Sequence, residues 1–400
     1  MKKRPNIVLI IVEELRNDFL GYMGNTDAET PFLDKLTEEG VTFNNYYTVH
    51  SKCVPSRVAL FNGRYVHNGG HRTLGVPLQK GEINLGKILK DNGYNTYLCG
   101  KNHTVDNKIM SETFTEHWDN KFMHFEEAGY QYYKKETTDN DRTSGSKTGD
   151  NYLFGKLNKP EDKVIDYKIT SRVCTFIKNN NSDKSFFLDV NFNYTHPPYE
   201  IMEPYYSKFM NKKLKLFPNE LGKNKPDFMK KLHDLHGFDR LTDNDRKEML
   251  ATYYGQLNFV NDRVEEIYNT LKNSGQLDNT IFIFTADHGD FVGQYSLPEK
   301  WDTVFHDCLI HIPLIIRYPK EFSKNRINAL AENIDLMPTL LDILKIEKPY
   351  GIQGKSMLDL MKNNTNEHKN YVFVEGGHEE DLLKIKIEPD PHRQLVVGYL

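Results

Sequence analysis

The sequence predicts an α/β fold, in which a large, mostly parallel or mixed sheet carries helices on both faces and a small C-terminal subdomain follows. Three observations point there. Short apolar runs alternate with segments of helical period, the order that joins parallel strands through covering helices. A chain of 400 residues has enough length for one large core and a smaller unit. The apolar runs also break off into acids, lysines and histidines, and in open α/β sheets ligands bind beyond the carboxyl ends of the strands.

Residues 7–12 form the first strand. Met1-Lys2-Lys3-Arg4 ahead of it imitates a secretory leader, but the six-residue apolar run ends in Glu13-Glu14 rather than in a small-residue cleavage site. Residues 30–40 are a helix, with Thr30 as cap, Pro31 in the first turn and Gly40 as stop. Cys53-Val54-Pro55-Ser56-Arg57 opens another, stopped by Gly63. Pro55 suits a first turn, which puts Cys53 at a helix entrance, where unpaired N–H groups favour an anion. Arg57, one turn inside, carries a fork of donors suited to tetrahedral oxyanions.

Residues 83–92 are a helix stopped by Gly93, and residues 94–99 the next strand. Phe186–Phe192 and residues 281–284 are further strands. Between these two runs a long amphipathic helix, residues 245–273, with Leu257, Val260, Val264, Ile267 and Leu271 on its apolar face. Residues 314–318 form a strand, and a helix capped by Asp335 runs to Leu344. Residues 126–163 and 205–248 read as surface insertions of the kind that shapes a substrate entrance. The expected division is a catalytic domain over residues 1–348 and a short or truncated C-terminal subdomain over residues 349–400.

Charge and composition narrow the function. With 52 basic and 56 acidic side chains the net charge is −4, so no overall field favours nucleic acid or an anionic membrane. No stretch approaches the ~20 apolar residues of a membrane span. The four cysteines are widely spaced without C-x-x-C pairing, which argues against a disulfide framework or zinc knuckle and makes a reducing cytoplasm the simplest expected compartment.

Four strand ends carry chemistry: Glu13-Glu14, then Gly100-Lys101-Asn102-His103, then Thr195-His196-Pro197-Pro198-Tyr199, then Asp287-His288-Gly289-Asp290. Each alone has a plain structural explanation: solvated paired acids, a surface lysine, a histidine packed in a rigid turn, a capping aspartate. Cys53 alone would be an ordinary buried cysteine. Together they form a constellation that structure does not require. Carboxylates from Glu13 and Asp287 suit a hard divalent cation, most naturally calcium. Lys101, His196 and Lys300 would neutralise the other oxygens of a tetrahedral anion.

These motifs, with Thr30-Pro31-Phe32-Leu33-Asp34, residues 312–319 and Asp335-Leu336-Met337-Pro338-Thr339-Leu340, resemble the sulfatase pattern of the alkaline phosphatase superfamily over about residues 6–357. The resemblance implies that Cys53 is oxidised to formylglycine by a formylglycine-generating or radical maturation enzyme, and that Arg57 supports its hydrate. It implies that Glu13, Asp287 and His288, with Glu14 and residue 53, hold a divalent metal: calcium first, with manganese, magnesium and zinc as alternatives. Lys101, His196 and Lys300 would grip the sulfate. One hydroxyl of the hydrate would attack sulfur, and His103 would deprotonate the other to expel sulfate. The implied activity is hydrolysis of a small-molecule or oligosaccharide sulfate ester, either an aryl sulfate or a sulfated carbohydrate.

Three departures qualify the match. The first strand ends in Glu-Glu where the family usually has an aspartate first. His288 stands where many members have Asn, a choice shared with phosphonate monoester hydrolases. The stretch after Pro349 is shorter than usual. Two alternatives follow: a phosphonate monoester or phosphodiester hydrolase with the same nucleophile, and a noncatalytic binder of sulfated glycans. Tyr130, Tyr132, Tyr133 and the lysines between Lys212 and Lys215 would suit a carbohydrate rim, although solvated loops explain them equally well.

Overall fold

The computed structural model describes residues 4–119, 154–236, 241–301, 304–376 and 397–399. Its centre is an eight-stranded sheet, here numbered β1 (Asn6–Val12), β2 (Val41–Phe43), β3 (Asn95–Gly100), β4 (Glu116–Asp119), β5 (Phe186–Phe192), β6 (Thr280–Ala286), β7 (Leu314–Arg317) and β8 (Asn325–Ile327). The strands lie in the order β8-β2-β7-β6-β1-β5-β3-β4. All pairings are parallel except those of β7, which runs antiparallel to β6 and β2.

The sequence of β1, Asn-Ile-Val-Leu-Ile-Ile-Val, is rich in β-branched residues and has no polar alternation because both of its faces are covered. Helix α1 spans Pro31–Thr37, α2 Cys53–Asn62, α3 Leu85–Asp91, α4 Ile165–Asn179, α5 Asp243–Asn273 and α6 Leu336–Leu344. Helix α2 lies on one face, where Phe61 meets Phe187 with ring centroids 6.3 Å apart. Helix α4 lies on the other, where the Cys99 thiol approaches the Ile169 carbonyl at 3.7 Å.

Register brings the functional strand ends to one edge. Val12 pairs with Phe192 on one side and Ala286 on the other, and Gly100 pairs with Asn191. The residues that follow, Glu13, Lys101, Asn193 and Asp287, therefore leave the sheet side by side. Helix α5 starts with a capping box: the Thr242 hydroxyl accepts from the Asp245 N–H at 3.2 Å, and the Asp245 carboxylate accepts from the Thr242 N–H at 3.0 Å. Its expected apolar face, Leu257 to Leu271, is buried in the main core.

Several expectations need correction. Residues 205–248 are not plain surface insertion, since they contain the helices Tyr205–Met210 and Asp227–His236, with Phe209, Met229 and Leu232 buried. Interspersed lysines and prolines hide that helical period. Strands β2, β4 and β8 have three or four residues each, too few to show a period in sequence. Asp335 stands at the N-cap position of α6, as expected, but its side chain makes no capping hydrogen bond to that helix. Its carboxylate accepts from the N–H of Glu332 at 2.9 Å and of Lys355 at 2.7 Å, so it fixes the chain before the helix and a segment twenty residues later. Most of residues 126–163, including Tyr130, Tyr132 and Tyr133, lie outside the described residues; within the remainder, Phe154–Lys156 pairs with Tyr199–Ile201.

Met357, Leu360 and Met361, beyond residue 348, pack into the main core. All four cysteines are free and buried. Among the described residues no helix is long and apolar enough to cross a membrane.

Gly100 ends β3 at φ +102°, and a Cβ there would lie 2.0 Å from the Asn191 carbonyl oxygen. Gly100→Ala should therefore push β3 off β5 and cost about 2 kcal/mol or more of unfolding free energy, read from urea denaturation. A variant as stable as the wild type would show that the strand ends can move apart freely.

Candidate active site

Lys52, in extended backbone, leads into α2 at Cys53, and the helix closes at Gly63, which donates its N–H to the Ala59 carbonyl at 2.9 Å with φ +65°. Pro55 sits in the first turn, where its missing N–H costs nothing. Ser56 pins the helix to β6 by donating its hydroxyl to the Asp287 carbonyl at 2.6 Å, and Asn333 supports Ser56 by donating to its carbonyl at 3.0 Å.

The buried Arg57 guanidinium gathers three strand ends. Nη2 donates to Glu13 after β1 at 2.6 Å, Nη1 to Asn191 in β5 at 2.5 Å, and Nε to Asp287 after β6 at 2.8 Å. Lys101, after β3, donates to the other Glu13 oxygen at 2.5 Å. Asp287 also accepts from the N–H groups of Glu14 at 3.1 Å and His288 at 2.9 Å. Rather than lying open to a ligand, then, the Arg57 fork is already engaged with protein oxygens.

Glu14 is buried at φ 58°. One of its oxygens pairs with Lys300 and lies 3.1 Å from His196 Nε2, while the other, Oε2, finds no hydrogen-bond partner among the described residues. Ring nitrogens can be assigned from their neighbours. His288 Nδ1 lies 2.9 Å from the Gly289 carbonyl and His196 Nδ1 2.6 Å from the Pro197 carbonyl. A carbonyl only accepts, so both Nδ1 atoms carry the proton and both Nε2 atoms turn a lone pair into the site. That of His288 faces the Cys53 sulfur at 3.4 Å; that of His196 faces the Lys300 ammonium at 3.0 Å.

The electrostatics follow from this crowding. Burial acts to raise the Glu13 carboxyl, but Lys101 and Arg57 outweigh it and hold the group well below its ordinary range. Burial opposes the charge of Lys300, yet Glu14 keeps it firmly protonated. Burial, with Asp290 and Glu299 nearby, pushes Glu14 up against the pull of Lys300. Burial lowers His103, His196 and His288, helped by Lys101 at His103 and by Lys300 at His196, so these imidazoles stay neutral. Burial, with Glu13 and Asp287 close by, pushes the Cys53 thiol far up.

All the expected site residues thus fall at one sheet edge: Cys53, Arg57, Glu13, Glu14, Lys101, Asp287, His288, His196 and Lys300 through direct contacts, and partly buried His103 within electrostatic reach of Glu13 and His196. Lys212 is instead spent on Glu29 and the Asp27 carbonyl. Sequence reading missed Asn191, whose signal was a polar residue inside an apolar strand, and Ser56 as the pin of α2. It also missed the role of Tyr199, which donates its hydroxyl to both Asp290 oxygens at 2.9 Å.

The donors fit a divalent cation. Ligand atoms of Glu13, Cys53, Asp287 and His288 lie within 4.8 Å of one another, as do those of Glu13, Glu14 and His196. The longer Glu13 and Glu14 side chains therefore still converge on one cluster.

A mixed α/β sheet with a helix entrance, buried carboxylates and cations gathered at one edge is the architecture of the alkaline phosphatase-like hydrolases. Residues 5–346 match the family model described as Sulfatase, and the chain belongs to the sulfatase family. The multifunctional alkaline phosphatase superfamily protein PehA of Trinickia caryophylli is 28% identical over 447 residues, covering 97% of this chain and 84% of that protein. An arylsulfatase of Clostridium perfringens is 25% identical, covering 94% and 82%. The crystal structure of the phosphonate monoester hydrolase of Agrobacterium radiobacter superposes with a TM-score of 0.77 at 20% identity, covering 94% of this chain and 81% of that one; this likeness is one of fold.

Arg57→Met would strand Glu13 and Asp287 without their guanidinium and should cost about 3–5 kcal/mol, measured by urea denaturation in chelator. The effect has a pH sign. Glu13 is depressed in the folded state, so the stability it contributes is present above its ordinary pKa near 4.5 and is lost as pH falls through the depressed value. The gap between wild type and Arg57→Met should shrink on acidification. A gap that is constant with pH would argue against the ion pairs as its source.

Proposed function

We propose that this protein hydrolyses a sulfate monoester of an aryl or carbohydrate alcohol, with residue 53 as nucleophile after oxidation of Cys53 to formylglycine. The observation that carries this reading is Cys53 itself, at a helix entrance, 3.4 Å from the His288 lone pair and among carboxylates that oppose its ionisation. A thiol that resists becoming thiolate is a poor nucleophile at neutral pH. A neutral hydrated carbonyl suits the same surroundings.

The formyl group supplies a hydrate with two hydroxyls, one for attack and one for later release. A divalent cation, calcium first, would be held by Glu13, Asp287, His288 and residue 53 with Glu14 beside them, and would supply Lewis acidity. The residues themselves set the charge. Three buried cations, Arg57, Lys101 and Lys300, face the buried carboxylates Glu13 and Asp287 and the buried Glu14–Asp290 pair, both of whose carboxyls burial pushes up. The cluster alone is near neutral, so a bound dication would make it net positive, the sign that a singly charged sulfate monoester needs.

Lys101 and Lys300 donate to and orient the sulfate oxygens, and the His196 lone pair accepts from the Lys300 ammonium and aims it. Neutral His103 is ready to take a proton from the residue-53 side chain. Arg57 is a positioning residue that holds the carboxylates in place. Because Cys53 is buried, a maturation enzyme would act before α2 packs against the sheet. A phosphonate monoester is the second reading, since it presents the same tetrahedral centre and single charge to the same donors, and the resemblance gives a histidine at position 288 to some such hydrolases as well.

The decisive measurement is the mass of the tryptic peptide covering residues 53–57 from an active sample. The expected result is exchange of the CH2SH group for CHO; an active preparation with an intact thiol would overturn the proposal. Lys300→Ala should lower kcat on an aryl sulfate by about 10²–10³-fold, as for loss of one preorganised transition-state donor. A wild type that turns over an aryl phosphonate far faster than an aryl sulfate would install the second reading.

A further inference from the structure

Strand β5 reads Phe-Phe-Leu-Asp-Val-Asn-Phe and is buried along its whole length. Alternation puts Phe187, Asp189 and Asn191 on the face toward α2. Phe187 packs on Phe61, and Asn191 Oδ1 accepts from Arg57. Asp189 sits between these contacts, flanked in the sheet by Leu9 of β1 and Leu98 of β3. Neither Asp189 oxygen has a hydrogen-bond partner among the described residues, and neither does Asn191 Nδ2. A buried carboxyl in such a place destabilises the sheet relative to an apolar side chain of similar size.

We propose that Asp189 is a positioning residue that sets the orientation of the Asn191 side-chain amide, and through it the Arg57 guanidinium beneath the reaction centre. A primary amide has two orientations related by a half turn. Arg57 only donates, so only the orientation with Oδ1 toward Nη1 bonds; the other sets NH2 against the guanidinium. An ionised Asp189 only accepts, and a protonated one still keeps an accepting carbonyl oxygen. Asp189 therefore draws the Asn191 NH2 toward itself and repels its oxygen, which leaves that oxygen facing Arg57. The two unpartnered groups are complementary: Asp189 stands two residues before Asn191 on the same strand face, and the NH2 is the end of the Asn191 amide not engaged by Arg57. Burial pushes the Asp189 carboxyl up to about 7, while Arg57 and the Asn191 amide pull it down, so these are the two groups to which it is electrostatically tied.

Arg57 in turn holds Glu13 and Asp287, so a wrongly turned Asn191 would loosen two of the carboxylates that face the cation site. For its activity readout this inference rests on the hydrolytic reading above; its structural readout does not.

The test compares Asp189→Leu and Asp189→Asn with wild type, measuring kcat and KM on an aryl sulfate and melting temperature with and without calcium chloride. Asp189→Leu should melt at or above the wild type, because it removes a buried unpaired carboxyl. Its kcat should nevertheless fall about 10- to 100-fold with KM little changed, and its melting temperature should rise less with calcium. Asp189→Asn keeps a carbonyl acceptor for the Asn191 NH2 and should restore most of both. If Asp189→Leu does not fold, Asp189→Ser, too short to reach the amide, must show the same losses.

Wild-type kcat and calcium response in the Leu or Ser variant would overturn the proposal, as would equal losses in the Asn variant, since a merely structural role predicts no rescue. If the wild type turns over no aryl sulfate while the calcium responses still separate the variants as described, the positioning role stands and the hydrolytic reading fails.

Discussion

The buried guanidinium of Arg57 joins Glu13, Asn191 and Asp287, and so ties the ends of three adjacent strands to the helix that begins at Cys53. Taking such a charge out of water costs several kcal/mol, and it is tolerated only where every exposed donor finds an acceptor of the right geometry. A planar fork can reach three acceptors in one plane, whereas a lysine ammonium at the same place would act as a point charge and leave at least one carboxylate facing apolar surroundings. The position of Cys53 relative to Glu13 and Asp287 is thus a consequence of this single side chain, because Arg57 lies one turn along the same helix.

A second constraint is charge balance within a closed volume. Carboxylates and cations alternate around the site, and the histidines between them are held neutral by burial and by the neighbouring lysines. Neutral imidazoles have a use here that charged ones would not: with Nδ1 protonated against a backbone carbonyl, each of His196 and His288 points a lone pair inward. The balance that stabilises this edge of the sheet also makes a simple thiolate nucleophile unfavourable. Stability and chemistry therefore favour the same uncharged side chain at position 53.

Much of this was legible in the sequence because the strands are buried on both faces. A continuous apolar run that ends abruptly in Glu13-Glu14 or Asp287-His288 marks both the strand and its functional end. Convergence of the four ends depended on register, which a single sequence carries only through the length of each run. The residues that were missed share a cause. Asn191 and Asp189 lie inside a run that reads as apolar overall, so their polarity was absorbed into the strand. Asp335 has the residue type and spacing of a helix cap, and only its partners, the nearby N–H of Glu332 and the distant N–H of Lys355, reveal its other use. Short edge strands such as β2 owe their existence to neighbours already in place, and their own residues do not announce them.

The paired acids at the end of β1 show how backbone and site are linked. In a continuing strand, Glu13 and Glu14 would point to opposite faces, and only one could serve the cluster. The left-handed backbone at Glu14, φ 58°, breaks that alternation and lets both carboxylates enter the same cluster. For a residue with a Cβ this conformation costs about 1–2 kcal/mol. Local hydrogen bonds offset it: the Glu14 N–H donates to Asp287 at 3.1 Å, its carbonyl accepts from the Tyr253 hydroxyl at 2.7 Å, and the Thr195 hydroxyl lies 3.1 Å from the same oxygen. Tyr253 comes from α5, Thr195 from the segment after β5 and Asp287 from the end of β6. The unusual turn is therefore held by separate parts of the chain at once, which is how two long acidic side chains in succession come to serve one cluster.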